Sequence, residues 1–440
     1  MAVVETGTRL TLPGWGGSWR VGELLGEGGQ GAVFALEPED QPLAPTLALK
    51  WYRPEAAHPE QLAALRRLAR VAAPSEAFLW PSEVLESHDG PAGVAGAGGF
   101  GYVMPLRPSG YLPVADLLTS KVDVPFSTVA RLCMGLADCF LKLHAQGLCY
   151  RDISLGNVFF DPSTGAPLVC DNDNVGVDGR DAARVLGTSR FMAPEVVVGK
   201  AQPSTATDLY SLAVLIFYLL MFHHPLQGRR ELEIACFDRE AEQRIFGAEA
   251  LFVFDPDDRS NAPDPVVHAS ALEYWDLYPP FLRDDFTRAF TVGLRDPARR
   301  VREGLWRAHL SRLLDGIVVC ACGRENPTDD GRPFRPCWSC GAEVSPPVRL
   351  VFGDRALVLN AGTQVTRHHL RRDYAYERVV AEVSAHPSRP GVWGLRNESD
   401  LVWEVVAADG QRRPVEPGRS VGLVVGATID FGSIRAVIEG

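Results

Sequence analysis

Two chemically capable side chains stand five residues apart near the middle of the sequence. Asp152 and Asn157 lie in a short polar stretch between the apolar segments Gly147–Cys149 and Val158–Phe160, which predict two strands joined by a loop. A carboxylate in such a loop can act as a base toward a hydroxyl group, and an amide oxygen can bind a hard metal ion. Arg-Asp pairs are common on protein surfaces, so the pattern becomes specific only when further elements accompany it in a fixed order.

A lysine interrupts a second apolar segment. Lys50 stands within Leu47–Trp51, which predicts a strand. An ammonium group is costly to bury without a partner. The lysine is therefore either an edge-strand residue whose charge reaches water or a functional group that meets negative charge.

A glycine-rich turn precedes this lysine. Gly26, Gly28 and Gly31 lie between strands predicted for Trp19–Leu25 and Ala32–Leu36. Glycine lets the backbone approach phosphate groups without a side-chain clash. The strand that follows favours a hairpin over the strand–helix unit of a dinucleotide-binding domain. A plain glycine turn without a ligand is the alternative.

These features and three later segments, taken in order, resemble the signatures of eukaryotic-like (Hanks-type) Ser/Thr protein kinases. Cys149–Asn157 resembles the catalytic loop of that family, and Gly187–Glu195 resembles the Gly-Thr…Ala-Pro-Glu end of its activation segment. Thr207–Phe222 resembles its buried central helix, and Asp296–Arg300 resembles its late Asp-Pro…Arg signature. The resemblance also implies a structural ion pair between Glu195, at the end of the activation segment, and Arg300, at the end of the late Asp-Pro…Arg signature.

The resemblance assigns a role to each polar position. Asp152 would accept the proton of a substrate hydroxyl or position that hydroxyl, Lys50 would hold the ATP phosphates, and Asn157 would bind a metal ion. Asp171 follows an apolar strand and would be the main Mg²⁺ ligand, with Asp173 as a second candidate, because Mg²⁺ takes oxygen ligands. An Asx-turn is the alternative for this segment. The implied cofactors are ATP and Mg²⁺ or Mn²⁺.

A nucleotide pocket is implied between the glycine turn, the lysine strand and the strand Phe100–Leu106, which ends at a hinge. Its expected lining is Gly26, Gly28, Gly31, Val33, Ala48, Lys50, Met104 and Leu106. The family also orients its lysine with a glutamate on the next helix, which the apolar spacing predicts for Glu60–Val71. Gln61 stands nearest the expected place, and Glu60, one residue away, is the glutamate that we assign to this role.

Three departures from the family pattern bear on activity. Ser154 stands where Ser/Thr kinases carry a lysine that contacts the transferring phosphate. Tyr150 replaces a histidine, and Asn172 replaces a phenylalanine. The first departure affects the expected rate of transfer more than nucleotide binding. It keeps open the alternative of a nucleotide-binding pseudokinase that acts as a scaffold.

The activation segment carries a further departure. Arg151 implies control by a phosphate on this segment, yet residues 172–187 contain no Ser, Thr or Tyr. They do contain Asp178 and Asp181. The hypothesis is that one of these aspartates supplies the charge permanently, or that control comes from outside the segment.

Two short cysteine pairs predict a metal site. Four of the nine cysteines are clustered, and they are Cys320, Cys322, Cys337 and Cys340. Thiolate pairs on tight turns can bind Zn²⁺ tetrahedrally, and residues 316–346 resemble a zinc ribbon. The site would be structural, because all four ligands come from the protein. Free thiols or a disulfide are the alternatives.

Residues 347–440 alternate short β patterns with turns, which predicts a β-sandwich. This region resembles a forkhead-associated (FHA) domain, a module that binds phosphothreonine. The resemblance assigns a phosphopeptide site to Thr366, Arg367, His369 and Asn397 and implies a phosphoprotein partner. A β-sandwich without a phosphate site is the alternative.

Composition limits the function further. A formal charge of -11 argues against a general nucleic-acid or membrane-surface binder. Residues 1–17 lack a basic patch followed by an apolar block, so no signal peptide is expected. Single cysteines among apolar residues favour reduced thiols and a cytoplasmic protein.

The predicted architecture is α+β. A bilobal protein-kinase fold at 15–315, with an N-lobe at 15–106 and a C-lobe at 107–315, precedes a small zinc ribbon at 316–346 and an all-β sandwich at 347–440. The expected function is that of an ATP-dependent Ser/Thr protein kinase acting on protein substrates. The alternatives are the pseudokinase scaffold and an adaptor that reads phosphothreonine.

Overall fold

The computed structural model describes residues 4–40, 44–86, 99–180, 186–333, 335–344, 347–407 and 409–440. The chain divides into two compact units. The first consists of Met1–Asp123, Leu132–Ala269 and Phe286–Trp306, and the second of Val124–Arg131, Ser270–Asp285 and Arg307–Gly440. The unit with the C-terminal strands therefore includes chain segments that precede residue 316.

An antiparallel sheet forms the N-terminal part of the first unit. Its strands are β1 (Arg9–Thr11), β2 (Ser18–Glu27), β3 (Gly31–Pro38), β4 (Leu47–Tyr52), β5 (Glu83–Glu86) and β6 (Phe100–Pro105). The strand order is β1-β2-β3-β4-β6-β5. Strand β4 lies between β3 and β6, and all of its residues are buried. Lys50 is thus on a central strand, which excludes the edge-strand alternative.

The glycine turn joins β2 to β3 as an antiparallel hairpin. The backbone N–H of Gly28 donates to the carbonyl of Gly31 at 2.9 Å and closes the turn. A Cβ atom on Gly31 would lie 2.1 Å from the carbonyl oxygen of Trp51, so this position requires glycine. The predicted hairpin is confirmed.

Helices supply most of the remaining regular structure before residue 316. Their bounds are α1 (Pro59–Leu68), α2 (Ala115–Leu118), α3 (Phe126–Ala145), α4 (Pro194–Val197), α5 (Thr205–Met221), α6 (Arg229–Leu232), α7 (Arg239–Gln243), α8 (Ala269–Leu277), α9 (Pro280–Phe290), α10 (Val292–Arg295) and α11 (Glu303–Asp315). Helix α5 is buried on nearly all sides, and the Ser204 hydroxyl caps its first turn by accepting from the N–H of Thr207 at 3.3 Å. A π-helical turn lies at Arg244–Ala248, and 3₁₀ turns lie at Arg259–Asn261 and Pro297–Arg299.

Short strand pairs hold the two polar loops of the first unit. The strands are β7 (Leu112–Pro113), β8 (Leu148–Cys149), β9 (Val158–Phe160), β10 (Pro167–Val169) and β11 (Gly176–Val177). Strand β9 pairs with β10 and β7, and β8 pairs with β11. The loop with Asp152 therefore connects β8 to β9, and the loop with Asp171 connects β10 to β11.

The second unit contains a short hairpin and two larger antiparallel sheets. The strands are β12 (Val318–Val319), β13 (Glu325–Asn326), β14 (Arg349–Phe352), β15 (Arg355–Val358), β16 (Gln364–Thr366), β17 (Val379–Ala385), β18 (Trp393–Asn397), β19 (Trp403–Val406), β20 (Arg412–Val415), β21 (Ser420–Gly422), β22 (Thr428–Asp430) and β23 (Arg435–Glu439), with α12 (Arg367–Arg371) after β16. The sheet orders are β15-β14-β23-β22-β19-β20 and β16-β17-β18-β21. Leu350 and Ile429 of the first sheet share one buried cluster with Val365 and Leu395 of the second.

Candidate active site

Asp152 is held in a defined orientation by neighbours on both sides. Its Oδ1 accepts from the backbone N–H and the hydroxyl of Thr188, each at 3.0 Å. The Asn157 amide donates to the Asp152 carbonyl at 2.9 Å and to Oδ2 at 3.3 Å. The carboxylate is only half-buried, so it can meet a hydroxyl group from solvent. Such a positioned acceptor is what general-base catalysis requires.

The loop around Asp152 is anchored by a buried carboxylate on helix α5. Asp208 accepts from the backbone N–H of Tyr150 at 2.5 Å and of Arg151 at 2.9 Å. Arg151 has a positive φ of 78°, and these bonds hold it in that uncommon conformation. The buried Tyr150 hydroxyl donates to the Cys170 carbonyl and links this loop to the end of β10.

A buried histidine completes the anchor. His144 Nε2 lies 3.1 Å from Asp208 Oδ2, and its Nδ1 is hydrogen-bonded to Glu303. Burial lowers the pKa of His144, but the two carboxylates outweigh burial and raise the pKa to about 9. His144 is therefore a charged bridge between the two acids at neutral pH.

Asn157 and Asp171 lie at adjacent strand ends. The N–H of Cys170 donates to the Asn157 carbonyl at 3.0 Å, so Asp171 follows directly after a residue bonded to Asn157. Asp171 has a positive φ of 52°, and its side chain is 44% exposed. The Asn157 amide nitrogen serves Asp152, and its oxygen takes no part in those bonds. A carboxylate and an amide oxygen form a donor set that fits Mg²⁺.

Lys50 is the cation of the site. Its Nζ lies 2.9 Å from Asp171 Oδ1, 2.8 Å from Asp173 Oδ2 and 3.4 Å from Gln30 Oε1 in the glycine turn. Burial lowers the pKa of Lys50, but the Asp173 and Asp171 carboxylates more than compensate and raise it above its ordinary value. The lysine therefore stays charged in the interior.

Two of the predicted site residues lie in surroundings that differ from those expected. Asp173, expected as a second Mg²⁺ ligand, is fully buried, and its Oδ2 accepts from Lys50 and from the Tyr52 hydroxyl. It faces the interior rather than the open site where a hydrated ion binds. Glu60 lies exposed in the first turn of α1. The neighbouring Gln61 is half-buried, and its Nε2 donates to the Asp173 carbonyl at 2.7 Å.

The predicted pocket residues divide into an apolar group and an open turn. Ala48 and Met104 are buried in one cluster, and Val33 and Leu106 pack against it partly exposed. The N–H of Leu106 donates to the Thr46 carbonyl at 3.0 Å, so it is engaged within the sheet rather than offered to a ligand. Hypothetical Cβ atoms on Gly26 and Gly28 would meet nothing within 4 Å, as expected of a turn with open space above it.

The departures from the family pattern have structural consequences. Ser154 is buried and brings no charge to the catalytic loop. A Cβ atom on Gly176 would lie 2.2 Å from the Arg151 guanidinium, which packs against that glycine. The Asp178 carboxylate accepts from the N–H and hydroxyl of Thr205 at 3.3 and 2.7 Å. Asp181, the other aspartate expected to supply charge, lies outside the described residues.

One predicted ion pair is confirmed. Arg300 is buried, and its guanidinium lies 2.8 Å from Glu195 Oε2. The guanidinium also donates to the carbonyls of Ala206 and Gly293. The pair therefore ties the end of the activation segment to the late Asp-Pro…Arg segment.

The four clustered cysteines meet in the second unit. Their sulfur atoms lie within 4.8 Å of one another, with Cys320 and Cys340 at 3.7 Å and Cys322 and Cys337 at 3.8 Å. A tetrahedron with Zn–S bonds of about 2.3 Å has edges of about 3.8 Å. The thiols therefore have the spacing of a zinc site, and all four are free rather than disulfide-bonded.

Three of the four residues expected to bind a phosphopeptide serve the fold instead. His369 Nδ1 accepts from the N–H of Thr366 at 2.8 Å, and its Nε2 lies 3.1 Å from Asp315 Oδ1. Asn397 is fully buried and donates to the carbonyls of Leu401 and Val415. The polar atoms of these side chains therefore make hydrogen bonds within the fold, and their role in phosphopeptide binding stays a prediction.

Comparison with known proteins finds a family match for part of the chain. Residues 103–270 match the family model described as protein kinase domain. This match and the relatives below support a Hanks-type kinase domain in the chain. The match spans the catalytic loop, the segment with Asp171 and the Ala-Pro-Glu sequence, as the order of motifs predicts.

Individual relatives are also protein kinases. The chain is 30% identical over 166 residues to protein kinase MCK1 of Saccharomyces cerevisiae, covering 37% of this chain and 44% of that protein. It is 29% identical over 216 residues to serine/threonine-protein kinase C of Synechocystis, covering 46% and 38%. It is 26% identical over 224 residues to serine/threonine-protein kinase PknA of Mycobacterium tuberculosis, covering half of each. The chain thus spans half or less of the relatives named here.

In the described parts of the chain, no helix combines the length and apolar character needed to cross a bilayer.

Proposed function

We propose that the chain is an ATP-dependent Ser/Thr protein kinase that transfers the γ-phosphate of ATP to hydroxyl groups of proteins. One observation carries the proposal. Lys50 on β4 is ion-paired at 2.9 Å with Asp171, 121 residues later, beside the loop in which Asn157 orients Asp152. A cation for phosphates, an exposed carboxylate and a buried amide for a metal ion, and a base thus lie on connected elements.

The chain's own residues divide the work of phosphoryl transfer. Lys50 binds the phosphates of ATP, and the glycine turn covers them with its backbone. Asp171 and Asn157 would hold Mg²⁺, which neutralises the charge of the phosphates. Asp152, fixed by Thr188 and Asn157, positions the incoming hydroxyl and takes its proton. Catalysis is then mainly positioning and charge stabilisation.

The pseudokinase alternative is supported by Ser154. The family places a lysine there to contact the transferring phosphate, and this chain has a buried hydroxyl. The retained Lys50, Asp152, Asn157 and Asp171 support transfer. The two functions differ in one measurable respect, because a pseudokinase binds ATP without consuming it.

The test measures ATP binding and phosphate transfer on the same preparation. Binding is followed as a shift of the thermal unfolding temperature, and transfer as label moved from γ-labelled ATP to the chain itself and to a generic protein substrate with Mg²⁺. We expect both signals in the wild type and loss of transfer alone in Asp152→Asn. Binding without transfer by the wild type would refute the kinase proposal and favour the scaffold.

We propose a second function, phosphopeptide binding, for the C-terminal sheets, where an arginine-lined cleft favours it. This cleft has a volume of about 770 Å³, and its lining includes Arg367, Arg371 and Arg378 together with the acidic Glu398 and Asp400. The side chain of Arg367 is 34% exposed. Guanidinium groups are the preferred partners of phosphate.

Phosphothreonine recognition is tested by titrating paired peptides that differ only in the phosphate. We expect the phosphorylated peptide to bind more tightly and Arg367→Ala to reduce its affinity by about tenfold. Arg435→Ala, which removes an exposed guanidinium outside the cleft lining, serves as the control. Equal affinity for both peptides would refute phosphate recognition here.

A further inference from the structure

We propose that Asp173 positions Lys50 for the ATP phosphates and thereby replaces the helix-borne glutamate that performs this task in related kinases. This inference rests on the proposed kinase function and concerns the same site. Asp173 is a positioning residue in it, because it acts on the nucleotide through Lys50.

The contacts of Lys50 identify its anchor. Asp173 is fully buried, and Lys50 is nearly so. Their 2.8 Å ion pair is therefore shielded from solvent and from competing salt. Asp171, the other partner, is 44% exposed and faces the open site. One aspartate thus neutralises the lysine permanently, while the other remains accessible to a metal ion.

Helix α1 supports this anchor with a donor rather than an acid. The Gln61 amide donates to the Asp173 carbonyl at 2.7 Å and to the Tyr52 hydroxyl at 3.4 Å, and that hydroxyl donates to the Asp173 carboxylate. A glutamate at position 61 would set a negative charge against the carbonyl and carboxylate of Asp173. The amide at 61 and the acid at 173 therefore fit together as a pair.

The segment that carries Asp173 is itself fixed. It forms a 3₁₀ turn over Asn172–Asn174. The buried Asn172 amide donates to the carbonyls of Leu79 and Val169 at 2.8 and 3.1 Å. A polar side chain bonded in this way cannot move between apolar pockets as a phenylalanine could. Lys50 is thus aligned by the fixed segment that carries Asp173.

The experiment exchanges the amide at position 61 and the carboxylate at position 173 in the 440-residue chain. The variants are Asp173→Asn, Gln61→Glu, the double variant with both changes, and Glu60→Gln. Asp116→Asn, which removes a surface pair to Lys121, is the control. The dissociation constant of MgATP, the KM for ATP, kcat and the Mg²⁺ concentration for half-maximal rate are measured for each. Thermal unfolding identifies any variant that fails to fold.

We expect Asp173→Asn to weaken ATP binding and raise the KM for ATP by about tenfold or more, with the Mg²⁺ requirement unchanged. Gln61→Glu alone should also weaken ATP binding, because it adds a second acid beside Asp173. The double variant again provides one carboxylate near Lys50 besides Asp171 and should recover most of the lost affinity. A purely structural role would not produce this reciprocal rescue.

Three results would overturn the inference. One is ATP affinity unchanged by Asp173→Asn, and another is a raised Mg²⁺ requirement with unchanged ATP affinity, which would make Asp173 a metal ligand. The third is a loss of ATP affinity in Glu60→Gln that Asp173→Asn does not share. A wild type that binds ATP without transferring phosphate would refute the proposed function alone, because the ATP affinities of the variants would still decide the role of Asp173.

Discussion

At the scale of single residues, the four polar side chains of the candidate site belong to local motifs, and their spacing along the sequence was enough to predict them. Asp152, Asn157, Lys50 and Asp171 follow fixed intervals from apolar strands, and the structure brings these strands together. The direction of the Asp173 side chain was not predictable, because it depends on a turn fixed by Asn172 and on contacts with distant β4.

A signal for the Asp173 arrangement did exist in the sequence. An amide stands at position 61, where the family pattern calls for an acid, and an acid stands at position 173, next to the asparagine that replaces a phenylalanine of the family pattern. Each of these residues alone departs from the family pattern, but together they keep a buried carboxylate beside the lysine. The two departures taken as a pair indicate that the acid and the amide have exchanged positions.

His144 predicts a pH dependence of stability. Its folded-state pKa of about 9 lies above the ordinary value of 6.5. Its contribution is therefore complete below pH 6.5 and is lost as the pH rises through about 9. We expect the free energy of unfolding of the wild type to fall between pH 6.5 and 9.5 by about 3 kcal/mol at most from this group.

Urea unfolding at both pH values measures this effect. His144→Gln should be less stable at pH 6.5 and should show a smaller loss toward pH 9.5 than the wild type. His386→Gln, at a histidine beside Arg389 on the surface, should retain the wild-type dependence. Identical pH dependence in His144→Gln and the wild type would show that the bridge to Asp208 and Glu303 carries no net charge interaction.

At the scale of elements, segments with a continuous apolar pattern were predicted well, and strands that depend on pairing were not. The predicted strand Val158–Phe160 has the bounds observed for β9, and the helix predicted for Thr207–Phe222 corresponds to α5. Strands β16, β20 and β22 were missed. Strand β20 has the sequence Arg-Arg-Pro-Val and is exposed except for its last residue, so it depends on pairing with β19 rather than on local preference.

The hairpin formed by β12 and β13 carries two of the four clustered cysteines. Its contacts predict a link between metal binding and helix α3. Glu325 on β13 accepts from the N–H and hydroxyl of Ser127 at 2.7 and 2.8 Å, in the first turn of that helix. The Trp338 ring, beside Cys337, packs edge-on against Phe126 at 5.5 Å. Zinc bound by the four cysteines would hold both contacts in place, because the metal fixes the turns that carry them.

Metal removal tests this link. We expect one zinc per chain by elemental analysis, and loss of that zinc with Cys337→Ser or a strong chelator. The free energy of unfolding should then fall by at least about 1 kcal/mol, because the first turn of α3 loses a capping partner. Cys236→Ser, at an exposed cysteine outside the cluster, should change neither quantity. Zinc-free wild type with unchanged stability would contradict the assignment.

At the scale of the whole molecule, the sequence boundaries and the compact units differ for a physical reason. A change of pattern at residue 316 marks the end of helical sequence, and this is where a new domain was predicted. The last segment of the second unit nevertheless begins within α11, because side chains of that helix bond to the C-terminal region. The Tyr376 hydroxyl donates to Ser311 at 2.7 Å, and Arg307 stacks on Tyr374 at 3.8 Å. A sequence pattern indicates the preference of a segment for helix or strand. It does not indicate contacts between distant segments such as these.

The most direct test of the central claim is the initial rate of γ-phosphate transfer from labelled ATP at saturating Mg²⁺, compared between the wild type, Asp152→Asn and the surface control Asp116→Asn. The account predicts measurable transfer by the wild type and the control, and a rate at least about 100-fold lower in Asp152→Asn with ATP still bound. Equal rates in the wild type and Asp152→Asn, or no transfer by a wild type that binds ATP, would contradict it.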